Sequence, residues 1–338
     1  MQYRSVKGFT GMGMLGMLLL FLGIGFIIAA IVQVAIGMMM LPAGMPLDKM
    51  GEGILKAMLD PKNVTLARIS QVLGTLFLLF IPAWLYSLVV NGKNMFWLGF
   101  NKYVSLAQVV LGFFLIFLAG IAAAPLGDWT KSIVSHYPAF NAWAANLEKM
   151  YTEQAMALSN LRSWPEFLVA IAIMAFFPAM FEEVFFRGAL QQLFTKWWKN
   201  PILAIIVTSI LFSLIHSSVY LFLSRAILGI VLGWMFYITK NIWVNIIAHF
   251  INNFLALTQM FYMFKTNQKV DLDKMDMQFG WIAAAGALIA LVVLFRLLEK
   301  YSVKNRLKID AREAVLLAKA NPFLHFDKPQ NDPGIGTA

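Results

Sequence analysis

Two adjacent carboxylates, Glu182 and Glu183, lie in an apolar stretch of the chain that reads as membrane-spanning. Carboxylates at bilayer depth are costly unless they are paired, hydrated or protonated, so they indicate a functional site. Glu183 and Arg187 have the i, i+4 spacing of helix neighbours, whereas Glu182 points about 100° away around the helix. A Glu–Arg pair that only joins helices is the simpler interpretation, but it leaves Glu182 unexplained. Pro178, four residues before Glu182, predicts a bend that opens space for water.

Histidine and amide side chains recur at helical spacing in two later apolar stretches. His216 follows Phe212 by four residues, and Asn245, His249 and Asn253 follow one another at the same interval. The second set forms one polar stripe on a helix. Taken alone, His216 and Asn245 are more simply interpreted as structural, because polar residues commonly join transmembrane helices.

These residue types match what peptide hydrolysis requires. A carboxylate or an imidazole can deprotonate a water, and imidazole and amide N–H groups can stabilise the tetrahedral oxyanion. The alternative chemistry uses Glu182, His216 and His249 as zinc ligands that activate a water. The chain has no His-Glu-x-x-His motif and no cysteine, which excludes the zincin arrangement, thiolate zinc sites and a cysteine nucleophile.

The elements that must position these residues are transmembrane helices. Hydrophobic residues make up 60% of the 338-residue chain and charged residues 13%, which excludes an ordinary soluble domain. Several windows exceed the ~18 apolar residues that a bilayer-crossing helix requires. We therefore predict an all-α polytopic membrane protein of about eight transmembrane helices, with the active site inside the bundle. The predicted spans are 13–36, 69–90, 104–124, 166–194, 201–218, 219–239, 241–263 and 280–298.

The distribution of basic residues predicts the orientation. Eight spans place both termini on one face, and that face carries most of the unbalanced Lys and Arg that give the net charge of +10. The positive-inside rule puts both termini in the cytoplasm, and it explains the charge better than nucleic-acid binding does. Residues 300–320 are basic and partly apolar and predict a helix on the inner leaflet, followed by a disordered tail from Asn321. Measured from the basic cytoplasmic markers, the candidate site residues lie about 14–25 Å deep and can share one layer.

Three of these patterns together resemble a known family. Glu182-Glu183-x-x-x-Arg187, Phe212-x-x-x-His216 and His249-x-x-x-Asn253 are similar to the three motifs of the CPBP family. This family comprises type II CAAX prenyl endopeptidases and bacteriocin-processing enzymes and is also called Abi. The resemblance covers about residues 165–260. It implies that Glu182 is the catalytic carboxylate, that His216 helps it activate water, that His249 and Asn253 stabilise the oxyanion, and that Glu183 and Arg187 support the site.

The resemblance implies an intramembrane endopeptidase that acts on a membrane-associated peptide or protein, and it leaves the metal question open. We expect that no cofactor is required, with zinc as the alternative, for two reasons. Asn253 can donate to an oxyanion together with His249, which a zinc-bound histidine could not do, and Glu183 with Arg187 is more typical of a pair that positions a carboxylate than of groups that orient zinc ligands.

One competing interpretation is a non-catalytic membrane scaffold. The other is a proton-coupled transporter. The transporter has less support, because the polar residues cluster in spans four to seven and not at corresponding positions of two inverted halves.

For the endopeptidase, the expected partners are membrane lipid and a peptide or protein substrate, not nucleic acid. We expect the protein to lie in the inner (cytoplasmic) membrane of a prokaryote. We predict four regions. They are N-terminal helices and loops (1–164), the protease core (165–263), a last loop and span (264–299), and a cytoplasmic end made of a basic helix and a disordered tail (300–338).

We also expect the site to form a water-filled cavity between the fourth, fifth and seventh spans. Burying Glu182, His216, His249 and Asn253 without water or partners would be too costly. Because an extended substrate has to reach it, this cavity is expected to open toward the cytoplasmic half of the membrane or sideways to lipid.

Overall fold

The computed structural model describes residues 4–159, 161, 163–266 and 279–320, and helices dominate these ranges while no strand forms in them. The predicted all-α architecture is confirmed. In chain order the helices are α1 (Gly11–Met39), α2 (Met50–Leu59), α3 (Pro61–Val90), α4 (Leu106–Ser135), α5 (Pro138–Leu158), α6 (Trp164–Trp198), α7 (Pro201–Leu214), α8 (Phe222–Thr239), α9 (Ile242–Lys265) and α10 (Trp281–Ala320), with 3₁₀ turns at Leu47–Lys49 and Met95–Leu98.

The predicted spans all coincide with helices. Within the described ranges, six helices are long and apolar enough to cross a membrane, namely α1, α3, α4, α6, α8 and α10. Helix α7 is apolar but has only 14 residues. Helix α9 has 24 residues, but it is not among the six because its asparagines and His249 lower its mean hydropathy. The chain is therefore a polytopic membrane protein, to whose bundle α7 contributes a short segment and α9 a polar one.

Three predicted boundaries differ from the structure. The fifth and sixth spans do not meet at Ser218, because α7 ends at Leu214 and a turn over residues 215–221 precedes α8. Ser217 in this turn adopts a left-handed backbone with φ of 51°, which ends the helix. The third span continues to Ser135, and the loop that follows it contains α5. The last span and the basic segment 300–320 form one continuous helix, while the predicted tail from Asn321 lies outside the described residues.

Helix α6 lies at the centre of the bundle and packs against α3, α7 and α9. Its aromatic residues Phe181, Phe185 and Phe186 are buried in the main hydrophobic cluster, which also includes Leu79 of α3 and Met14 of α1. This packing surrounds the acidic pair with apolar side chains on most sides, so the carboxylates depend on partners inside the protein.

Two segments cover the ends of the bundle. Helix α5 packs on the 215–221 turn, where Ser218 Oγ donates to Glu148 Oε2 at 2.6 Å and Tyr220 Oη donates to Asn141 Oδ1 at 2.7 Å. The opposite face of α5 exposes Phe140 and Trp143, as expected for a helix that lies at a membrane interface.

At the other end of the bundle, the C-terminal half of α10 contacts the ends of α4, α6 and α8. Glu313 and Asp310 pair with Lys196 at 3.1 Å and with Lys240 at 2.6 Å. The buried Gln108 Nε2 donates to Ser302 Oγ at 2.9 Å. This half of α10 is therefore held against the protein by side-chain contacts on one of its faces.

Candidate active site

The acidic pair lies where the backbone of α6 departs from regular α geometry. A π-helical segment, Ile171–Phe176, precedes the pair and another, Val184–Gln191, follows it directly. Pro178 lies between the first segment and Glu182, and it cannot donate the backbone bond that a regular helix would make there. Wide turns of this kind concentrate at functional sites because they re-aim side chains without ending the helix. The sequence analysis predicted a bend near Pro178 but not the two π segments.

Glu183 is fully buried and accepts hydrogen bonds from three side chains. Its Oε1 accepts from Arg187 Nη1 at 2.7 Å and from His249 Nδ1 at 2.9 Å. Its Oε2 accepts from Asn245 Nδ2 at 3.1 Å. A buried carboxylate requires such pairing, since an uncompensated one is strongly destabilising. The predicted Glu183–Arg187 contact is therefore present, and His249 and Asn245 complete it.

Arg187 is held by groups from two neighbouring helices. Its Nη2 donates to the carbonyl oxygen of Gly229 in α8 at 3.3 Å, and its guanidinium lies 4.6 Å from the centre of the Phe212 ring in α7. Gly229 lets α8 pack closely on α7, because a Cβ at that position would lie 2.9 Å from Cβ of Ser209. The ion pair thus fixes α6 against both helices.

Glu182 faces both histidines. Its Oε2 lies 3.9 Å from His216 Nε2 and 3.8 Å from His249 Nε2. This oxygen is buried and has no hydrogen-bond partner within the described part of the chain. The separations exceed those of direct hydrogen bonds, and a polar contact of this length is one that a water can bridge.

The ring orientation of each histidine is set from its other nitrogen. Nδ1 of His216 lies 2.7 Å from the carbonyl oxygen of Phe212, and Nδ1 of His249 lies 2.9 Å from Glu183 Oε1. Both partners are acceptors, so both Nδ1 atoms carry a proton and the Nε2 atoms are directed at Glu182. When neutral, the two rings present bare nitrogens to the carboxylate, which places proton acceptors on three sides of one small space.

His216 belongs to the 215–221 turn rather than to a helix. Its side chain is 23% exposed, compared with 12% for Glu182 and 8% for His249. Its carbonyl oxygen accepts from Arg225 Nη1 at 3.3 Å, and Arg225 lies over the ring of Tyr151 in α5. The turn therefore depends on contacts from outside the central bundle.

Asn253 is not joined to this cluster. It lies one helical turn after His249 on α9, and its Oδ1 accepts from Asn252 Nδ2 at 3.4 Å. Among the described residues it forms no hydrogen bond with Glu182, His216 or His249. The structure thus brings together five of the six sequence-predicted residues. Asn245, which the sequence analysis interpreted as a helix contact, belongs to the network, and its position four residues before His249 was the available signal.

The three candidate zinc donors are spaced more widely than a tetrahedral zinc site requires. Two ligands at ~2.0–2.1 Å from one zinc lie about 3.3 Å apart, whereas Glu182 Oε2 lies 3.8 and 3.9 Å from the two Nε2 atoms. Within the described ranges, no group of three His, Asp or Glu side chains is arranged to hold a metal ion. The contact of Glu183 with His249 Nδ1 is nevertheless of the type that orients metal-bound histidines. The partners of Glu183 therefore do not distinguish the metal-free chemistry from the zinc chemistry.

The comparisons with known proteins agree with the motif resemblance. No curated protein and no solved structure matches the chain. Residues 164–255 match the family model described as type II CAAX prenyl endopeptidase Rce1-like. These residues include both glutamates, Arg187, both histidines of the cluster and Asn253. The predicted resemblance is confirmed: the segment that builds the candidate site is similar to that of type II CAAX prenyl endopeptidases.

Proposed function

We propose that this protein is an intramembrane endopeptidase that hydrolyses a peptide bond of a membrane-associated peptide or protein. One observation carries the proposal: an unpartnered carboxylate oxygen of Glu182 meets Nε2 of His216 and of His249 at 3.8–3.9 Å inside a helical bundle. A water held there lies beside the Glu182 carboxylate, which can accept its proton, as general-base activation of the nucleophile requires.

Each residue then has a distinct role. Glu182 removes the proton from the water and delivers it to the leaving amine when the C–N bond breaks, and His216 orients the water through Nε2. His249 and Asn253 donate to the oxyanion that forms when the water attacks the peptide carbonyl. Because Nδ1 of His249 is already committed to Glu183, this donation uses Nε2 and the protonated imidazole. Asn253 lies one turn further along α9, outside the hydrogen-bonded cluster, and its proposed role is to donate its amide to the same oxyanion once the substrate is bound. Glu183 and Arg187 hold the site together without touching the substrate.

The test is Glu182→Gln, because the amide keeps the shape of the side chain and removes the proton acceptor. We expect the rate of peptide cleavage to fall by at least ~100-fold, with normal insertion and folding of the protein. Since the substrate is unidentified, the measurement compares membrane proteomes of cells that carry wild-type protein or the variant, and it looks for precursors that accumulate uncut. The matched control is Glu153→Gln, which removes an exposed carboxylate of α5 that pairs with Lys149.

The same comparison separates the proposal from a scaffold function. A strain that lacks the gene is compared with strains that express wild-type or Glu182→Gln protein. If the two proteins give the same cleavage products and both restore the function lost in the deletion strain, then the protein acts by binding and the peptidase proposal is wrong. Accumulated precursors that the purified wild-type protein cleaves, and the variant does not, support it.

The proposed hydrolysis does not depend on a bound metal. We therefore expect cleavage of such a precursor to persist after exhaustive chelation of purified protein, and elemental analysis to find much less than one zinc per chain. Stoichiometric zinc, with activity that is lost on its removal and restored on its return, would contradict this expectation and leave Glu182, His216 and His249 as the ligands.

A further inference from the structure

Asn245 makes more hydrogen bonds than a residue that only joins two helices would need. It is completely buried, and its Nδ2 donates to Glu183 Oε2 at 3.1 Å and to the carbonyl oxygen of Leu232 in α8 at 2.7 Å. An amide nitrogen has two hydrogens, so both are committed. Its Oδ1 is buried without a hydrogen-bond partner in the described part of the chain. The side chain therefore serves as a donor toward one carboxylate and one carbonyl.

The two oxygens of Glu183 do not have equivalent partners. Oε1 accepts from Arg187 and His249, whereas Asn245 supplies the donor to Oε2. The last torsion of a glutamate side chain has a broad energy profile, so the plane of the carboxylate is set by the groups that bind it. Without a donor on Oε2, only the two hydrogen bonds to Oε1 restrain rotation of this plane about the Cγ–Cδ bond. The hydrogen bond to His249 Nδ1 would then lengthen or alternate between the two oxygens.

We propose that Asn245 is a positioning residue that fixes the carboxylate plane of Glu183 and, through it, the tautomer and ring orientation of His249. With Glu183 fixed, the Nδ1 proton of His249 has one acceptor, and Nε2 is directed at Glu182 Oε2. The carbonyl of Leu232 holds the second hydrogen of Asn245 and ties this arrangement to the backbone of α8. The consequence for turnover rests on the proposed peptidase function, whereas the consequence for the His249 ring does not.

The direct experiment is nitrogen-15 NMR of histidine-labelled protein at a pH where the rings are neutral. The chain has four histidines, so each signal can be assigned by replacing one histidine at a time. The resonances of protonated and bare ring nitrogens are well separated. We expect wild-type His249 to occupy one tautomer with the proton on Nδ1, and Asn245→Leu to give a mixture of both tautomers. Asn245→Ser, which is too short to reach Glu183, is the second variant in case the leucine prevents folding.

The matched control is Asn241→Leu, one helical turn earlier on α9. Asn241 is also completely buried, caps the helix and donates from Nδ2 to backbone carbonyl oxygens, but it does not contact Glu183. We expect it to lower thermal stability and to leave the His249 signals unchanged. The proposal is overturned if the Asn245 variants keep the single Nδ1 tautomer, or if Asn241→Leu disturbs His249 to the same extent.

A second measurement joins the positioning role to catalysis. With a precursor identified through Glu182→Gln, we expect Asn245→Leu to lower kcat by about 10–100-fold and to change KM by less than about twofold, as for residues that orient a reacting group from behind. A rise in KM with unchanged kcat would overturn the positioning role. If the wild-type protein cleaves no precursor, the proposed function fails, and the NMR result still decides the role of Asn245.

Discussion

The two histidines that face Glu182 are held in different ways. His249 belongs to a buried network with Glu183, Arg187 and Asn245, whose hydrogen bonds measure 2.7–3.1 Å. His216 lies in a turn between two helices, is 23% exposed, and is fixed by the carbonyl of the preceding helical turn. One half of the site therefore resembles a protein core, and the other half resembles a surface loop.

Because of this difference, a change in the buried half is expected to cost more stability than a change in the turn. The buried half has to be complete, because removing one member leaves an unpaired charge where no water can compensate it. The turn that carries His216 is expected to move at a smaller cost, since hydrogen bonds rather than a buried ion pair join it to α5. We infer that the α6–α9 half sets the geometry of the site and that changing it costs more stability than changing the 215–221 turn. The following predictions test that division, in order of decreasing effect on stability.

The largest effect is expected for Arg187→Ala. This change leaves Glu183 buried without its cation, which costs about 3–5 kcal/mol for a buried pair. The free energy of unfolding, measured by titration with SDS in mixed micelles, should fall by that amount, and activity should fall with it. Arg225→Ala is the control, because Arg225 is only partly buried and contacts the turn rather than the carboxylates. Equal losses from the two variants would remove the contrast between the halves.

An intermediate effect is expected for Phe212→Leu, which tests how the halves are linked. The Phe212 ring lies under the Arg187 guanidinium at 4.6 Å and beside the rings of His216 and His249. A desolvated cation–π contact contributes about 2 kcal/mol, and leucine keeps most of the apolar volume. We expect a loss of that size by the same titration. Phe185→Leu, at a buried aromatic residue outside this contact, should cost less, and the reverse order would contradict the link.

The smallest effect on stability is expected for Ser218→Ala, which removes the hydrogen bond to Glu148 in α5. Such a bond contributes about 0.5–1.5 kcal/mol. Hydrogen–deuterium exchange of peptides that cover residues 213–221 should nevertheless become clearly faster, because the turn loses one of its two side-chain hydrogen bonds to α5 and the one that Ser218 Oγ accepts from Leu221 N. Ser217→Ala is the matched control, since no hydrogen bond of the Ser217 side chain is found within the described residues. Unchanged exchange in Ser218→Ala would show that the Ser218 hydroxyl does not hold the turn.

The sequence predicted the contacts that follow from spacing along one helix. Glu183 and Arg187 were expected to pair because they are four residues apart, and Glu182 was expected to face elsewhere. Which glutamate meets which histidine could not be read in the same way, because these contacts join residues more than thirty positions apart and depend on how the helices rotate. The pairing of Glu183 with His249 and Asn245 is of this kind.

The elements around the site were predicted where hydropathy is strong and missed where it is weak. Helix α5 was taken as part of a loop because its composition is mixed and its structure depends on packing against the ends of other helices. The 215–221 turn was missed because apolar residues continue on both sides of His216. The continuity of α10 was missed because its charge changes sharply near residue 300, and helix geometry, unlike lipid contact, is indifferent to that change.

The length of α10 has a mechanical consequence. At a rise of ~1.5 Å per residue, a helix of 40 residues extends about 60 Å, roughly twice the ~30 Å thickness of a hydrocarbon core. The helix that crosses the membrane is thus the same helix that pairs with Lys196 and Lys240, so a rotation of its membrane-spanning part also rotates its C-terminal part. One residue inserted near position 300 would turn everything after it by about 100° and carry Asp310 and Glu313 away from Lys240 and Lys196. The helical register of α10, and not its charge alone, therefore determines whether Asp310 and Glu313 can pair with the lysines.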